Sequence, residues 1–517
     1  MSNRETALPS DEGSRRLLPV TAPPMKRYLT LLLSLLFVLP LPAQSRREAL
    51  LEYQARRRQA YTEFRDNYRK ACADFMRKRW EAFRAEAPVP VPERREPDIP
   101  VMKRPDAPSV PTQDRMPYDK VVDLPEPAPE MPDAPGIAET PVLPGKPAAG
   151  ADDAAPAVDV SRPFKFTFYG TGCSVSLAAK HRFNLASVQE NSVANAWEGV
   201  SRGSYDAVAA ECVALKKALG LNDWGYYDLV RTLADGFCGP KTNESVVLQS
   251  FLMAEAGYKV RMARGDGRLF LLLATDGQVY ARPYFNIDGQ VFYILDDVPR
   301  AASYNICNFT IPGERPLSLA MPAPPLFAQK PAAPAVRNFD GVVSTTVTVN
   351  RNLMDFYTNY PPCHWSIYAA TALTAPVRGQ LYPPLRAAVA GKGEREAAEL
   401  LLHYLHRAFP YKTDEAQFGV ERTLFAEEMY YYPYSDCEDR SILFARLVKD
   451  LLGLDVVLLY YPAHIATAVC FKGEVKGDYM QLGNKRYVIC DATYIGAGVG
   501  EAMPDLKRTP AQVVRID

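Results

Sequence analysis

Residues 434–441 read Tyr-Ser-Asp-Cys-Glu-Asp-Arg-Ser, and they are followed by an apolar run from Ile442 to Leu452 and then by Gly453. Polar residues that can cap a helix come first, a helical pattern follows, and a glycine ends it. We therefore expect Cys437 at or near a helix N-terminus. There, backbone N–H groups and the helix dipole favour a thiolate over a thiol. A cysteine that attacks a carbonyl group benefits from this position, whereas one that only packs does not need it.

Two later residues complete a candidate for nucleophilic catalysis. Such catalysis needs a base that takes and returns the thiol proton, and a group that orients the base. His464 stands at the entry of an apolar strand pattern, and Asp491 ends another. A helix followed by strands is expected to lie against a sheet, with Cys437 near the strand ends.

Three short segments carry a resemblance to a known family. Residues 436–439 (Asp-Cys-Glu-Asp), 461–466 (Tyr-Pro-Ala-His-Ile-Ala) and 490–494 (Cys-Asp-Ala-Thr-Tyr) resemble the Cys, His and Asp segments of the transglutaminase-like superfamily. The first is similar to the motif of the bacterial transglutaminase-like cysteine proteinases. The resemblance covers residues 340–505 and implies a papain-like fold.

The resemblance also implies a reaction. Cys437 would be the nucleophile, His464 the base and then the acid, and Asp491 the group that orients the imidazole. The thiolate would attack a peptide or Gln carboxamide carbonyl and form a thioester. Water would then release an acid, as in a protease or amidase, or a Lys amine would form an isopeptide, as in a transglutaminase.

Residues beside the candidate triad have supporting roles that the sequence leaves open. The backbone N–H of Cys437 is one candidate donor to the oxyanion, and Gln417 is a weaker one. Asp436 is expected to support the site. Asp436, Glu438 and Asp439 are an alternative Ca²⁺ site, as in some relatives, but carboxylates at a helix start commonly cap the helix. We therefore expect no metal and no cofactor.

The chain predicts an α+β protein in which two papain-like or transglutaminase-like modules, each a helix packed on an antiparallel sheet, follow a long helix and a proline-rich linker. The segments are an upstream extension with a signal peptide (1–44), a basic amphipathic helix (45–87), a proline-rich linker (88–163), a first module (164–311), a second proline-rich linker (312–336) and a second module with the candidate triad (337–517).

The N-terminal segments predict export. Two basic residues precede the apolar run Tyr28 to Leu41, which is shorter than the ~20 residues that a membrane span needs. We expect a periplasmic or extracellular protein with no stable membrane span after signal cleavage. The helix at 45–87 is expected to dock a partner, to self-associate or to pair with the next module. The linker at 88–163 is expected to stay extended and to bury nothing.

The two modules show the same pattern of helix, glycine and strands under a shift of 196 residues. Lys241 then aligns with Cys437 and Arg268 with His464, so the first module is predicted to keep the fold and to lack the activity. The 60 basic and 60 acidic residues of the chain cancel, which gives no indication of nucleic acid as a partner. The leading hypothesis is an exported thiol enzyme acting on a protein or peptide. The alternative is a non-catalytic binding or scaffold protein.

Overall fold

The computed structural model describes residues 43–92, 102, 112–123, 163–202, 205–297 and 299–516. These ranges form an α+β protein with eleven α-helices and sixteen strands. The predicted signal peptide lies outside the described residues except for its last two positions. Within the described ranges, no helix combines the length and the apolar character needed to cross a membrane.

The helices are α1 (Ala43–Met76), α2 (Glu190–Ser201), α3 (Tyr205–Ala218), α4 (Asp223–Cys238), α5 (Asn243–Glu255), α6 (Arg351–Asn359), α7 (Trp365–Ala370), α8 (Ala375–Val389), α9 (Glu394–Ala408), α10 (Asp414–Phe418) and α11 (Cys437–Leu447). The strands of the first half are β1 (Glu81–Phe83), β2 (Tyr118–Val122), β3 (Phe164–Phe168), β4 (Thr171–Val175), β5 (Val260–Gly265), β6 (Arg268–Ala274), β7 (Tyr284–Ile287), β8 (Gln290–Tyr293) and β9 (Tyr304–Cys307). Those of the second half are β10 (Ala335–Phe339), β11 (Val343–Val347), β12 (Asp455–Tyr461), β13 (His464–Cys470), β14 (Tyr479–Leu482), β15 (Lys485–Cys490) and β16 (Ala511–Arg515).

The chain divides into two compact units, residues 1–63 and residues 64–517. Of the first unit the structure describes the helical residues 43–63, and the side chains described there are exposed. The second unit contains both modules.

The two six-stranded sheets have the same strand order. The order is β1-β9-β5-β6-β8-β7 in one sheet and β2-β16-β12-β13-β15-β14 in the other. Each sheet is accompanied by a two-stranded hairpin, β3-β4 or β10-β11, and by a buried helix, α5 or α11, that packs against it. The two modules therefore share one strand order, and they differ at the edge, where β1 is antiparallel to β9 and β2 is parallel to β16.

The strand ladders also agree with the shift of 196 residues. In the first module Gly265 is paired with Arg268, and in the second Tyr461 is paired with His464. Arg268 thus occupies the position of His464 in the equivalent hairpin.

The last turns of α1 pack on the first module. Cys72, Ala73 and Met76 are buried, and the guanidinium of Arg69 contacts the Glu255 carboxylate at 2.5 Å. Of the alternatives for this helix, the structure thus shows the one in which it pairs with the next module. The helix ends at Met76, earlier than expected.

The proline-rich segment at 88–163 was expected to bury nothing, and this expectation is wrong for residues 112–123. Met116 is 2% exposed, and β2 pairs in parallel with β16 at the edge of the second sheet. The Thr112 hydroxyl and the Asp114 amide both donate to the Asp478 carboxylate. An extended chain exposes unpaired backbone groups, and a sheet edge offers partners for them.

We expect replacement of Met116 by alanine to lower the free energy of unfolding by about 2–4 kcal/mol, because a buried thioether leaves a cavity in the cluster with Leu459 and Tyr461. Urea unfolding measures this change. Tyr118→Ala, an exposed position of the same segment, is the control and should cost less than about 1 kcal/mol. Equal effects of the two substitutions would mean that this segment does not pack as described.

Candidate active site

The start of α11 is fixed by carboxylate contacts. Asp436 precedes the helix, and its backbone N–H donates to the Asp439 carboxylate at 3.3 Å. The other oxygen of Asp439 accepts from the backbone N–H of Leu424 at 2.8 Å. Asp439 thus acts as a cap and ties the preceding loop to the helix. Cys437 is the first residue of the helix, as the sequence predicts.

His464 and Asp491 form a buried pair at the ends of adjacent strands. His464 is the first residue of β13, and Asp491 follows β15. His464 Nε2 lies 2.8 Å from Asp491 Oδ2. Asp491 Oδ1 accepts from the backbone N–H groups of Thr493 and Tyr494 at 2.9 and 3.1 Å.

The carboxyl group of Asp491 is held in its ionised form. Burial alone would raise its pKa, but His464 and the two backbone donors outweigh burial and lower the pKa below the ordinary value of an aspartate. An ionised Asp491 fixes the tautomer and the ring orientation of His464. Because Nε2 contacts Asp491, any proton exchange between His464 and a thiol must use Nδ1.

Helix α11 lies on the strand that carries His464. The hydroxyl of Ser441, one turn beyond Cys437, donates to the carbonyl of Ile465 at 3.0 Å. Ile465 is the neighbour of His464 on β13. The start of α11 and the start of β13 therefore meet, which brings the three predicted residues into one region.

The thiol of Cys437 has charged neighbours of both signs. Its Sγ donates to Glu438 Oε2 at 3.5 Å, while the Arg440 guanidinium is near enough to interact with it electrostatically. Burial lowers the pKa of Arg440 to about 10, so the group is still a cation at neutral pH. A cation near a thiol favours the thiolate, and an adjacent carboxylate opposes it.

The candidate site is closed in this structure. Cys437 is 2% exposed, and His464 and Asp491 are each 1% exposed. A substrate can reach the thiol only if neighbouring groups move.

Gln417 and Asp436 are placed around the entry to α11. Gln417 Nε2 donates to the carbonyl of Tyr434 at 3.3 Å. This contact supports the loop that leads to Cys437. It places Gln417 as a support for that loop, while the backbone N–H of Cys437 remains the nearer candidate for an oxyanion donor.

His406 is a site residue that the sequence analysis missed. It lies on α9, and its Nε2 is 2.9 Å from the carbonyl oxygen of Asp491. Because a carbonyl only accepts, Nε2 carries the proton. Burial lowers the pKa of His406 to about 4, so the ring is neutral at pH 7 and acts as a fixed donor behind Asp491. No spacing signal links it to residue 491.

The other cysteines lie in environments that suppress thiolates. Burial raises the pKa of Cys72, Cys363 and Cys490 above the ordinary value. Cys470 is half-buried, and burial together with Asp455 raises its pKa. On the strand ladder Cys490 faces Thr467, three residues from Cys470, so the two thiols are not opposite one another.

Carboxylate oxygens converge beside α11 in two groups that could hold a cation. Asp414, Glu421 and Glu438 form one, Asp414, Asp436 and Asp439 the other, with oxygens within 4.8 Å in each. Hard oxygen donors at this spacing are the ligands that Ca²⁺ prefers. However, Asp414 accepts from the backbone N–H of Arg422, and Asp439 acts as a cap. These contacts already give both carboxylates structural roles.

Comparison of the chain with models of known protein families, with curated proteins and with solved structures found no significant match.

Proposed function

We propose that the protein is a thiol enzyme of the transglutaminase-like type, with Cys437 as nucleophile, His464 as base and acid, and Asp491 as the orienting carboxylate. The observation that carries the proposal is the buried pair of His464 and Asp491 at 2.8 Å, beside the helix that starts at Cys437. A papain-like identity for the two modules is part of this proposal, as is export to the periplasm or the cell exterior.

The proposed reaction uses side chains of this chain alone. His464 takes the proton from the Cys437 thiol, and Sγ attacks the carbonyl carbon of a peptide or Gln carboxamide. The carbon–nitrogen bond breaks as the imidazolium of His464 gives its proton to the leaving amine, which leaves a thioester. Water or a Lys amine then attacks this thioester, His464 takes its proton, and the proton returns to Sγ.

The alternative is a non-catalytic binding or scaffold protein. Its support is the burial of Cys437, together with the cationic residues that occupy two of the equivalent positions of the first module. The reactivity of the thiol separates the two readings.

We expect iodoacetamide to alkylate Cys437 at pH 7 faster than Cys470, although Cys470 is the more exposed thiol. An ordinary thiol with a pKa of about 8.5 is only a few per cent ionised at this pH, whereas a paired cysteine is largely a thiolate. Peptide mass spectrometry over a time course measures both sites in one sample.

His464→Ala is the matched variant for this experiment. It should slow alkylation of Cys437 by about tenfold or more and leave that of Cys470 unchanged. If Cys437 reacts no faster than Cys470 in the unmodified protein, the thiol is either not ionised or not reached in the closed site, and in both cases a binding protein is the better interpretation.

A further inference from the structure

The first module has a cavity where the second has the candidate triad. Three residues that correspond to that triad line its wall: two align with Cys437 and His464 under the shift of 196 residues, and the third falls one residue from the position of Asp491. They are Lys241, Arg268 and Asp296. Two adjoining cavities, about 20 and 100 Å³ in volume, share Asp296 and the side chains of Phe270 and Ile294. This volume is enough for a few water-sized groups.

The cavity opens because two strands separate. In the first module the β6–β8 ladder extends toward the start of β6 only as far as the pair Leu273 and Tyr293, among the described residues. In the second module the equivalent pair, Val469 and Val488, is followed by two more pairs toward His464. The first module thus loses sheet pairing at the point where the second module keeps it.

The linings of the two adjoining cavities, taken together, carry more positive than negative charge. The cationic side chains are Lys241, Arg268, Arg282 and Arg300, and the anionic ones are Asp296 and Asp297. Asp296 Oδ1 is already engaged by the Tyr227 hydroxyl at 2.8 Å and by Arg231 at 3.2 Å. The surplus of cations favours an anionic ligand.

A buried amide oxygen on the cavity wall lacks a hydrogen-bond donor among the described residues. Gln249 is 1% exposed, and its Oε1 has no hydrogen-bond partner within the described part of the chain. Its Nε2 donates to Ser245 Oγ at 3.0 Å, and the Ser245 hydroxyl donates to Asp235 at 2.6 Å. Because the hydroxyl proton is used on Asp235, this orientation of the amide is the one that satisfies the network. Buried acceptors without a donor are costly.

Lys241 is held in a strained conformation at the edge of the cavity. Its φ is +56°, in the left-handed region that side chains rarely adopt. Its backbone N–H donates to Asp235, and its carbonyl accepts from Arg268. Strain that several contacts maintain is a common feature of binding sites.

We infer that this cavity of the first module binds the C-terminal carboxylate of a peptide. Lys241 and Arg268 bind the carboxylate, and Gln249 Oε1 accepts from an N–H of the last residue. Only the carboxylate and this N–H enter the cavity, and the side chain of the last residue stays outside it. The small volume fits a chain end and not a continuous strand. The inference does not require the chemistry proposed for Cys437.

Fluorescence anisotropy with the full chain tests this inference. The probe is an N-terminally fluorescein-labelled Ala-Ala-Ala-Leu peptide with a free carboxylate, and its C-terminal amide is the matched ligand. Both are titrated with the Cys437→Ala protein, so that no turnover of the probe occurs. We expect the acid to bind at least about tenfold more tightly than the amide, because the amide loses the charge-assisted hydrogen bonds.

Variants in the same background locate the site. Arg268→Gln and Gln249→Leu should each weaken binding of the acid by about fivefold or more. Lys392→Gln, an exposed lysine of the second module that has the same change in charge, should have no effect. Circular dichroism checks that each variant is folded.

Three outcomes would overturn the inference. The first is equal binding of the acid and the amide, and the second is unchanged binding of the acid to Arg268→Gln. The third is displacement of the labelled probe by inorganic phosphate at the same concentration at which unlabelled peptide displaces it. The third outcome would show a site for any small anion. Each is independent of whether iodoacetamide finds an activated Cys437, so failure of one proposal is distinguishable from failure of the other.

Discussion

Cys437→Ala is expected to reduce the formation of products from a casein-like substrate by about 10⁴-fold or more. The nucleophile forms the only covalent bond to the substrate in the proposed reaction, and loss of such a residue removes the covalent route entirely. The assay mixes the protein with casein and a fluorescent amine. New fragments indicate hydrolysis, and fluorescence incorporated into casein indicates amine transfer.

Cys470→Ala is the control for this experiment. It removes a half-buried thiol of the same module at the opposite end of β13 from His464, and activity should remain within about twofold. Full activity in Cys437→Ala would contradict the proposed mechanism. If the unmodified protein also forms neither fragments nor labelled casein, the hypothesis of a non-catalytic binding or scaffold protein is favoured.

Asp491→Ala is expected to impair both stability and activity. At neutral pH the substitution leaves His464 without its carboxylate and two backbone N–H groups without their acceptor, which should cost about 3–5 kcal/mol of unfolding free energy. Activity should fall by about 10⁴-fold, because the imidazole is no longer held in one tautomer. Asp505→Ala, at an exposed position, should change neither quantity appreciably.

The loss of stability in Asp491→Ala should depend on pH, because the pKa of Asp491 is lowered in the folded protein. A carboxylate with a lowered pKa in the folded state contributes its full stabilisation above its unfolded pKa of about 4, and this stabilisation is lost as the pH falls through the folded value. The difference in urea midpoint between the unmodified protein and Asp491→Ala should thus be largest at neutral pH and shrink below pH 4. A difference that grows with acid would show that another group dominates.

Elements with strong local signals were predictable from the sequence. The start of α11 at Cys437 and the strand that ends at Cys490 follow from capping residues and apolar alternation. Strand β13, which begins at His464, was expected from the apolar pattern that follows this residue. The same local signals produced the alignment of Arg268 with His464, and the strand ladders agree with it.

Other elements depend on contacts that the sequence does not reveal. Helix α8 contains Pro383 and Pro384, residues that usually end a helix. Strand β2 forms on the edge of a sheet whose other strands come from the far end of the chain. His406 acts through the carbonyl of Asp491, and a backbone acceptor has no residue type that a pattern can detect.

The pairing of β2 with β16 sets an order for folding. Residues 118–122 pair with residues 511–514, so nearly four hundred residues separate the partners. Contacts of such long sequence separation form late and slow folding, because a large loop must close first. The second sheet is therefore expected to complete its edge only after the last strand has been synthesised. Until then, β12 has no neighbour on that side and β2 has no partner, so their open backbone groups can pair with another chain.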